Sequence, residues 1–277
     1  MIRDLLGADL GRVVDFHTHI YGELSDPDPA DLDRMARLAG HYGIGKLVML
    51  GNATGLLKDH NPPPELIADI NSYTLGAMAA RPDVFIGFAY LNPANPPGFT
   101  TEEIDRCIVR GGMRGIKLWI SVKATDERVE PIMERAVELD IPVVYHTWYT
   151  AIDTRGEQST PAEMAELGRR FPRAKLVLCH LGGGRERGVL DIAGVPSLCY
   201  DTSGSQPESD LVEFAVKRLG AERVIFGSDW PIRDFGAQVG RILGARITPH
   251  ERSLILRGNA ERLIGLDGEG ERKGGDK

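Results

Sequence analysis

Eight short runs of apolar and β-branched residues recur along this 277-residue chain, and they constrain its fold more than any other feature. The runs begin between 23 and 38 residues apart, and helical patterns fill the intervals. Most lack polar–apolar alternation, which is typical of parallel strands covered by helices. Eight strand–helix repeats predict a single (β/α)8 TIM barrel, with an open doubly wound sheet as the alternative. The runs are Val13–Ile20, Lys46–Gly51, Val84–Leu91, Gly115–Ile120, Pro142–Thr147, Lys175–Leu181, Leu198–Thr202 and Val224–Asp229.

The intervening helices carry start and stop signals. Thr160–Glu163 offers an N-cap hydroxyl, a proline at the first helical position and a reciprocal glutamate, and Thr248–Glu251 repeats this pattern. Thr100 with Glu103 predicts a third helix start. The predicted stops are Gly40 or Gly43, Pro82 and Pro172. Since no linker rich in Pro, Gly or Ser divides the chain, we predict one domain over residues 1–266.

Composition and charge exclude several classes of protein. The net charge is −7 and the pI about 5.6, with acidic and basic residues interspersed, so the basic patch that nucleic-acid binding requires is missing. The longest apolar run, near Leu47–Gly51, is too short to cross a membrane. The charged first twelve residues do not resemble a secretion signal. We therefore expect a small-molecule substrate and neither nucleic acid nor membrane as a partner; a homo-oligomer stays possible.

The cysteines indicate a reducing compartment, and the end of the chain has the composition of a disordered segment. Cys107, Cys179 and Cys199 are odd in number and far apart, which argues against a disulfide framework and favours the cytoplasm. Residues 267–277 are charged and Gly-rich with hardly anything to bury, and they are predicted to form a disordered tail.

Metal-binding and titratable side chains end five of the eight runs. Catalytic groups in β/α barrels project from the carboxyl ends of the strands. The first run ends in His17 and His19, which point to the same side of a strand and can grip one ion. The other runs carry Lys117, His146, His180 and Asp229. Neutral imidazoles with a carboxylate suit zinc and neighbouring divalent metals, so a metal site is predicted at this rim.

Each of these residues alone is a weak signal. A lone buried histidine is usually a hydrogen-bonded core residue, and Asp229 in Gly227–Pro231 could be a turn-forming aspartate. The combination is what predicts function, because four of the seven histidines fall at the ends of three inferred strands. The other three, to which we assign no role, are His41, His60 and His250.

A glycine run and two serines invite other interpretations. Gly182–Gly184 follows His180, but no Gly-Lys-Ser/Thr follows it, so glycines that let a substrate approach the backbone are favoured over a nucleotide site. Ser203 and Ser228 lack a nucleophile-elbow pattern, and packing explains the cysteines.

Arginines and tryptophans follow several of the runs. Any of the arginines could bind a substrate carboxylate, with an exposed or ion-paired surface residue as the alternative. The tryptophans predict a flat, aromatic-lined pocket, with ordinary packing at the barrel rim as the alternative. The residues are Arg155, Arg185, Arg233, Trp119, Trp148 and Trp230.

Taken together, the motifs resemble the amidohydrolase superfamily. More narrowly they resemble the branch that contains aminocarboxymuconate-semialdehyde decarboxylase, the resorcylate decarboxylases and related lactonases. The resemblance runs from about Val13 to Leu263, nearly the whole chain. Its motifs are Val14-Asp15-Phe16-His17-Thr18-His19, Gly115-Ile116-Lys117-Leu118, Tyr145-His146, Cys179-His180-Leu181-Gly182-Gly183, Phe226-Gly227-Ser228-Asp229-Trp230-Pro231 and Gly258-Asn259-Ala260-Glu261-Arg262-Leu263.

The resemblance implies roles for the strand-end residues. In that branch the positions matching His17, His19, His146 and Asp229 bind one divalent ion, commonly zinc. The position of His180 acts beside the metal without ligating it. A carboxylated lysine at the position of Lys117 bridges two metals in binuclear members, but this branch often has the lysine while binding one ion. One ion is therefore favoured and two are possible, and some lactonases of the branch work without metal.

These residues predict a metal-dependent hydrolase. A bound divalent ion lowers the pKa of its water towards about 7, and Asp229 could take the proton from that water. His180 and Lys117 could polarise or hold a substrate oxygen. The expected substrate is a small carboxylate, lactone, ester or amide. The alternatives are a non-oxidative, metal-dependent decarboxylase of an aromatic or dienoic acid, and a catalytically silent barrel used as a binding module.

Overall fold

The structure is a computed structural model that describes residues 6–20, 24, 26–52, 59–149, 158–204 and 208–266. Strands and helices alternate through these ranges, and a strand lies within, or largely overlaps, each of the eight predicted runs. The strands are β1 (Val13–Ile20), β2 (Ile44–Asn52), β3 (Phe85–Gly87), β4 (Ala89–Leu91), β5 (Ile116–Leu118), β6 (Pro142–Tyr145), β7 (Lys175–Leu178), β8 (Leu198–Asp201) and β9 (Val224–Ile225).

Helices follow the strands in sequence. They are α1 (Pro29–His41), α2 (Pro64–Ala80), α3 (Pro97–Ile104), α4 (Glu130–Glu138), α5 (Pro161–Arg170), α6 (Leu181–Ile192), α7 (Leu211–Leu219), α8 (Phe235–Gly244), α9 (Pro249–Ser253) and α10 (Asn259–Ile264). Single π-helical segments, Asp105–Arg110 and Leu254–Gly258, continue α3 and α9. Short 3₁₀ turns cover Gly7–Asp9, Glu127–Val129 and Ala221–Arg223.

The strands pair in parallel in two groups, β1 to β3 and β4 to β9. The two groups join because β3 and β4 are one strand interrupted at Phe88. The Phe88 N–H donates to the Met49 carbonyl at 3.0 Å, and the Ala89 N–H donates to the Gly115 carbonyl at 2.9 Å. This arrangement makes β3 and β4 a single position between β2 and β5.

The first and last strands also meet. The Phe16 N–H donates to the Phe226 carbonyl at 2.9 Å, and the Asp229 N–H donates to the His17 carbonyl at 2.8 Å. Thr18 and Trp230 form a parallel bridge further along. With both joins in place, the strands occupy eight positions of one barrel, and the predicted (β/α)8 TIM fold is confirmed.

Two apolar clusters fill the barrel and its surroundings. Strand residues that face inward, among them Val14, Phe16 and Val177, pack with Leu263 and Ile264 of α10. Strand residues that face outward pack against the surrounding helices in a larger cluster. Because each strand is covered on both faces, continuous apolar runs are the expected sequence pattern.

Most of the predicted helix boundaries are confirmed. Capping boxes start α5 at Thr160 and α9 at Thr248. The glycine stop after α1 is Gly43, which has φ +82°. The predicted start at Thr100 is wrong, because α3 begins at Pro97 and places Thr100 one turn inside it. Pro97 takes the first helical position because its fixed φ suits the helix and its missing N–H costs no hydrogen bond there.

Three further expectations concern disulfide bonds, membrane-spanning helices and the C-terminal tail. All three cysteines are free and buried, so the expected lack of disulfides is confirmed. Among the described residues, no helix combines the length and apolar character needed to cross a membrane. The predicted tail, residues 267–277, lies outside the described residues, as does Arg155.

Candidate metal centre

The structure brings the predicted strand-end residues to one end of the barrel. His17 and His19 lie on β1, Lys117 lies on β5, and the other three residues follow later strands. Five of the six are buried, and His146 is half-buried. The residues that follow their strands are His146 after β6, His180 after β7 and Asp229 after β9.

Three donor atoms meet at the join between the first and last strands. His17 Nε2 lies 3.2 Å from His19 Nε2. The Oδ1 atom of Asp229 lies 3.5 Å from His17 Nε2 and 3.7 Å from His19 Nε2. The ligand atoms of these three residues all lie within 4.8 Å of one another, which is close enough for one ion to contact all of them.

The hydrogen bonds of the two imidazoles fix which nitrogens face this cluster. His17 Nδ1 lies 2.7 Å from Asp201 Oδ2, and His19 Nδ1 lies 3.2 Å from the Gly51 carbonyl oxygen. Both partners are acceptors, so we assign the proton to Nδ1 in each ring. The two Nε2 lone pairs then face one another, and a cation would satisfy both. The residues present therefore fit a divalent metal.

Electrostatics keep these imidazoles in the form that binds metals. Burial, with the nearby Lys117 charge, lowers the pKa of His17 well below its usual value and that of His19 to about 3. Neutral imidazole is the metal-binding form. Burial, reinforced by the Asp201 charge, raises the pKa of Asp229 to about 7. A positive ion beside these groups would favour the carboxylate of Asp229.

A second histidine pair lies next to the first. His180 Nε2 is 3.1 Å from His146 Nδ1, which requires one hydrogen between the two nitrogens. His146 Nε2 lies 3.3 Å from Gln158 Oε1. His180 has φ +69°, a left-handed conformation that is uncommon for a residue with a side chain. Asp201 Oδ1 accepts the hydrogen bond of the His180 N–H at 2.9 Å, so the unusual backbone is held in place.

Two of the three predicted tryptophans border this pair. The Trp119 ring meets His146 edge-on at a centroid distance of 6.3 Å, and the Trp148 ring lies 5.5 Å from that of His180. Trp230 stacks on Phe235 at 5.3 Å and packs against the outer apolar cluster. Trp119 and Trp148 therefore border the histidine pair, whereas Trp230 is a packing residue, and the flat pocket stays a prediction.

Lys117 faces a thiol. Its Nζ donates to Cys179 Sγ at 3.0 Å, and both side chains are buried. Burial raises the pKa of the Cys179 thiol, which keeps it neutral. Cys179 also belongs to a second group of possible ligands with His17 and His180, all within 4.8 Å. Sequence reasoning assigned Cys179 to packing, and the structure adds that it borders the site.

Sequence reasoning missed Asp15, Asp201 and Ser203. Asp15 Oδ1 accepts hydrogen bonds from the N–H groups of His17 at 3.1 Å and Ser228 at 2.9 Å, which ties the two sides of the join together. Asp201 contacts both His17 and His180. One available signal was that Asp201, like Asp229, is a carboxylate at the end of an apolar run.

The glycine run after His180 makes room for neighbouring side chains. A Cβ atom on Gly183 would lie 2.4 Å from the Trp148 ring, and one on Gly184 would lie 1.8 Å from Tyr200 Oη. Internal packing therefore accounts for the glycines at these two positions, and the interpretation that they let a substrate approach the backbone stays a prediction.

Two of the three predicted arginines fall within the described residues. Arg185 is exposed and pairs with Glu208 at 2.9 Å, and Arg233 is exposed. A cleft of about 360 Å³ lies beside Arg185 and is also lined by Trp148 and Tyr149. Arg185 and Arg233 are therefore surface residues, as in the alternative interpretation, and Arg185 is also ion-paired.

Comparison with known proteins identifies the family. The family model described as amidohydrolase matches residues 14–266. The γ-resorcylate decarboxylase of Polaromonas sp. strain JS666 is 23% identical over 85% of this chain and 87% of its own length. The L-fucono-1,5-lactonase of Burkholderia ambifaria is 28% identical over 56% of this chain and 62% of its own.

A solved structure shares the fold. The dihydroxybenzoic acid decarboxylase of Polaromonas sp. JS666, with bound manganese and the inhibitor 2-nitroresorcinol, superposes with a TM-score of 0.72 at 19% identity. The match covers 93% of this chain and 97% of that one. Because the family model spans nearly all of the described barrel, this chain belongs to the amidohydrolase family and is an enzyme of that superfamily.

Proposed function

We propose that this enzyme is a divalent-metal-dependent, non-oxidative decarboxylase of a planar hydroxylated aromatic or dienoic acid. The observation that carries the proposal is a three-donor cluster beside a histidine pair that two indole rings border. The γ-resorcylate and dihydroxybenzoic acid decarboxylases support it, because each matches most of this chain over most of its own length. Hydrolysis, which the sequence analysis favoured, becomes the second candidate.

The proposed ligands are His17, His19 and Asp229, with His146 as the fourth. One ion is favoured because the first three donors form a single group. The sequence favoured zinc on ligand type, and the manganese in the Polaromonas structure makes manganese an equal candidate. When bound, a divalent ion would hold substrate oxygen atoms and stabilise negative charge on them.

Decarboxylation requires one proton to be placed on carbon. The bond between the substrate carbon and its carboxylate breaks, the electron pair stays on the carbon, carbon dioxide leaves and a proton replaces it. Since Asp229 Oδ1 faces the histidines, we assign proton delivery to its other oxygen, Oδ2, which would take up one proton from solvent in each turnover before passing it to the carbon. His180 Nε2 would accept the proton of a substrate hydroxyl, and the Lys117 ammonium would attract the substrate carboxylate.

The two tryptophans have a separate task in this proposal. Flat indole faces and edges suit a planar substrate and exclude water from the developing carbanion. Trp119 lies against His146 and Trp148 lies against His180, so a ring held between them would be next to both histidines.

Hydrolysis of a lactone is the second candidate, and one observation favours it. The lactonase of B. ambifaria has the higher identity of the two relatives, although over a shorter stretch. In this case Asp229 would take a proton from water and His180 would hold the acyl oxygen. The same residues serve both reactions, so turnover has to separate them.

The deciding experiment is an assay of purified enzyme loaded with manganese or with zinc. Hydroxybenzoates and muconate-like acids are tested for release of carbon dioxide beside lactones, esters and amides tested for hydrolysis. We expect carbon dioxide from the acids alone, and a loss of about a hundredfold or more in Asp229→Asn, which keeps the shape but not the proton carrier. Turnover of lactones alone would replace this proposal with the second candidate, and no turnover of any substrate would favour a silent binding module.

A further inference from the structure

Asp201 lies beneath the proposed metal centre and contacts two of its histidines. It ends β8 and is fully buried. Its Oδ2 accepts from His17 Nδ1 at 2.7 Å. Its Oδ1 accepts from the backbone N–H groups of His180 and Ser203, each at 2.9 Å, and from the Ser203 hydroxyl. The two carboxylate oxygens therefore connect β1, β7 and β8.

We propose that Asp201 sets the tautomers of His17 and His180, directly for His17 and through the Ser203 hydroxyl for His180. Asp201 and Ser203 are thus positioning residues, which turn the Nε2 lone pair of each imidazole towards the site. The catalytic consequence rests on the proposed function, whereas the tautomers themselves do not.

The first step concerns His17. An ionised carboxylate can only accept hydrogen bonds, so the nitrogen 2.7 Å from Asp201 Oδ2 must carry the hydrogen. Nε2 of His17 is then unprotonated, and it faces His19 Nε2 at 3.2 Å and Asp229 Oδ1 at 3.5 Å. A metal ligand requires this lone pair.

The second step concerns His180. The Ser203 hydroxyl has one hydrogen, and its close contact with Asp201 Oδ1 uses it. Ser203 Oγ must then accept from His180 Nδ1, which lies 3.0 Å away, and it can also accept from His17 Nδ1 at 3.0 Å, which Asp201 Oδ2 already holds at 2.7 Å. Nε2 of His180 is left as an acceptor, and the hydrogen in its contact with His146 comes from His146 Nδ1. His146 Nε2 is then bare, so the terminal amide of Gln158 must present its NH₂ group, and not Oε1, to this nitrogen.

Local packing keeps the His180 ring at this position. Gly204 has φ +86°, and a Cβ atom there would lie 2.8 Å from both Cβ and Nδ1 of His180. The glycine thus lets the ring lie against the backbone that follows Ser203, within reach of its hydroxyl.

Replacing Asp201 with asparagine should reverse the tautomer of His17. Two backbone N–H groups point at Oδ1 and can only donate, so the amide oxygen of the variant must take that place. The amide NH₂ then faces His17 Nδ1 and cannot accept from it. His17 Nδ1 must become the acceptor, and its proton moves to Nε2, where it blocks the metal lone pair.

The test is nitrogen NMR of metal-free protein labelled with ¹⁵N-histidine, at a pH where the imidazoles are neutral. Two-bond proton–nitrogen spectra distinguish the protonated ring nitrogen from the bare one, and His17→Gln and His180→Gln assign the signals. We expect His17 and His180 to carry the proton on Nδ1 in the wild type. In Asp201→Asn we expect His17 to carry it on Nε2. Ser203→Ala should abolish the preference of His180 while leaving His17 unchanged, and Ser203→Thr should restore it.

Metal titration supplies a second readout. We expect Asp201→Asn to lose about tenfold to a hundredfold in affinity for manganese or zinc, as is usual when the partner of a ligating histidine is lost. Ser203→Ala should retain wild-type affinity. A wild-type His180 protonated at Nε2, or a folded Asp201→Asn with His17 still protonated at Nδ1, would overturn the proposal.

The outcomes stay distinguishable if variants or assays fail. Circular dichroism checks that Asp201→Asn folds, and if it does not, the wild-type spectrum and the two Ser203 variants still decide the role of Ser203 and the His180 tautomer. A lack of decarboxylation would defeat the proposed function and leave the tautomer assignment standing.

Discussion

Lys117 is buried at the site, and its ammonium contacts a thiol. Nζ donates to Cys179 Sγ at 3.0 Å, and the Lys117 charge helps to lower the pKa values of His17 and His19. Its part in the proposed reaction is to attract a substrate carboxylate. A lysine that bridges two ions would have a different effect on metal content, so the two roles can be separated.

We expect Lys117→Met to leave metal stoichiometry unchanged and to lower activity by at least about tenfold, because methionine fills a similar volume without the charge that attracts the substrate. Elemental analysis and turnover are measured together. Cys179→Ser is the control, since it keeps the lysine and an acceptor beside it. A fall from two ions to one or none in Lys117→Met would show that the lysine bridges two metals.

We expect Asp15 to make the stability of the metal-free protein depend on pH. Burial, which outweighs its hydrogen bonds from Ser228 and His17, raises its pKa to about 7. The aspartate carboxyl of an unfolded chain has a pKa of about 3.9, so the folded state binds the Asp15 proton more tightly than the unfolded chain does. Stability from this source is fully present below about pH 4 and is lost as the pH rises to about 7.

Asp15→Asn should remove this dependence. Relative to the variant, the wild type should lose stability between about pH 4 and pH 7, by at most about 1.4 kcal/mol per pH unit. Urea unfolding of both proteins across this range, without metal, measures the difference. Identical pH profiles for the two proteins would show that Asp15 does not hold a proton in the fold.

At the scale of elements, a polar network fastens two helices to the barrel. Asn71 of α2 accepts the Tyr90 N–H of β4 at 2.8 Å and donates to the Tyr90 carbonyl at 3.0 Å. It also donates to Glu103 Oε1 of α3 at 2.8 Å, and Arg106 pairs with the same carboxylate. These hydrogen bonds satisfy buried polar groups of Asn71, Tyr90 and Glu103 that would otherwise lack partners.

Glu103→Ala should lower the free energy of unfolding by about 2–3 kcal/mol at neutral pH, because it removes charge-assisted hydrogen bonds and leaves Asn71 with a buried donor. Glu102→Ala is the matched control, since Glu102 is exposed on the same helix and its replacement changes the charge equally. We expect the control to change stability by less than about 0.5 kcal/mol. Equal effects in the two variants would contradict the network.

How far the sequence predicts these elements depends on the kind of signal. Apolar runs located every strand, because burial on both faces is encoded locally. The interruption of the third strand at Phe88 was not predicted, since it depends on pairing with strands distant in sequence. The start of α3 was misplaced although Pro97 is a local signal for it. Strand ends likewise depend on pairing, and β9 covers only Val224–Ile225 of its predicted run.

The residues of the candidate site also differ in how far the sequence predicts them. A barrel collects its strand ends at one rim, so His17 and Asp229 could be paired from sequence although they lie far apart in the chain. Asp201 and Ser203 could not, because their roles arise from side-chain contacts among three strands. Sequence reasoning therefore predicted the groups that form the candidate metal centre and missed the ones that orient them.

At the scale of the whole molecule, the proposed ligands lie on both sides of the join that closes the barrel. His17 and His19 are on β1, and Asp229 follows β9. Backbone hydrogen bonds between Asp229 and His17 and between Phe16 and Phe226 hold the same join. An ion bound there would link the first strand to the last, so the proposed metal would stabilise the closed barrel in addition to its part in the reaction.

The central claim is that this cluster binds a divalent metal, and calorimetric titration of metal-free protein with manganese and with zinc tests it most directly. We expect about one ion per chain for the wild type, because three donors converge on one position. His17→Ala combined with His19→Ala should abolish binding, whereas His250→Ala, which removes an imidazole outside the cluster, should leave it unchanged. Wild-type protein that binds neither metal, or a double variant that binds as well as the wild type, would contradict the account.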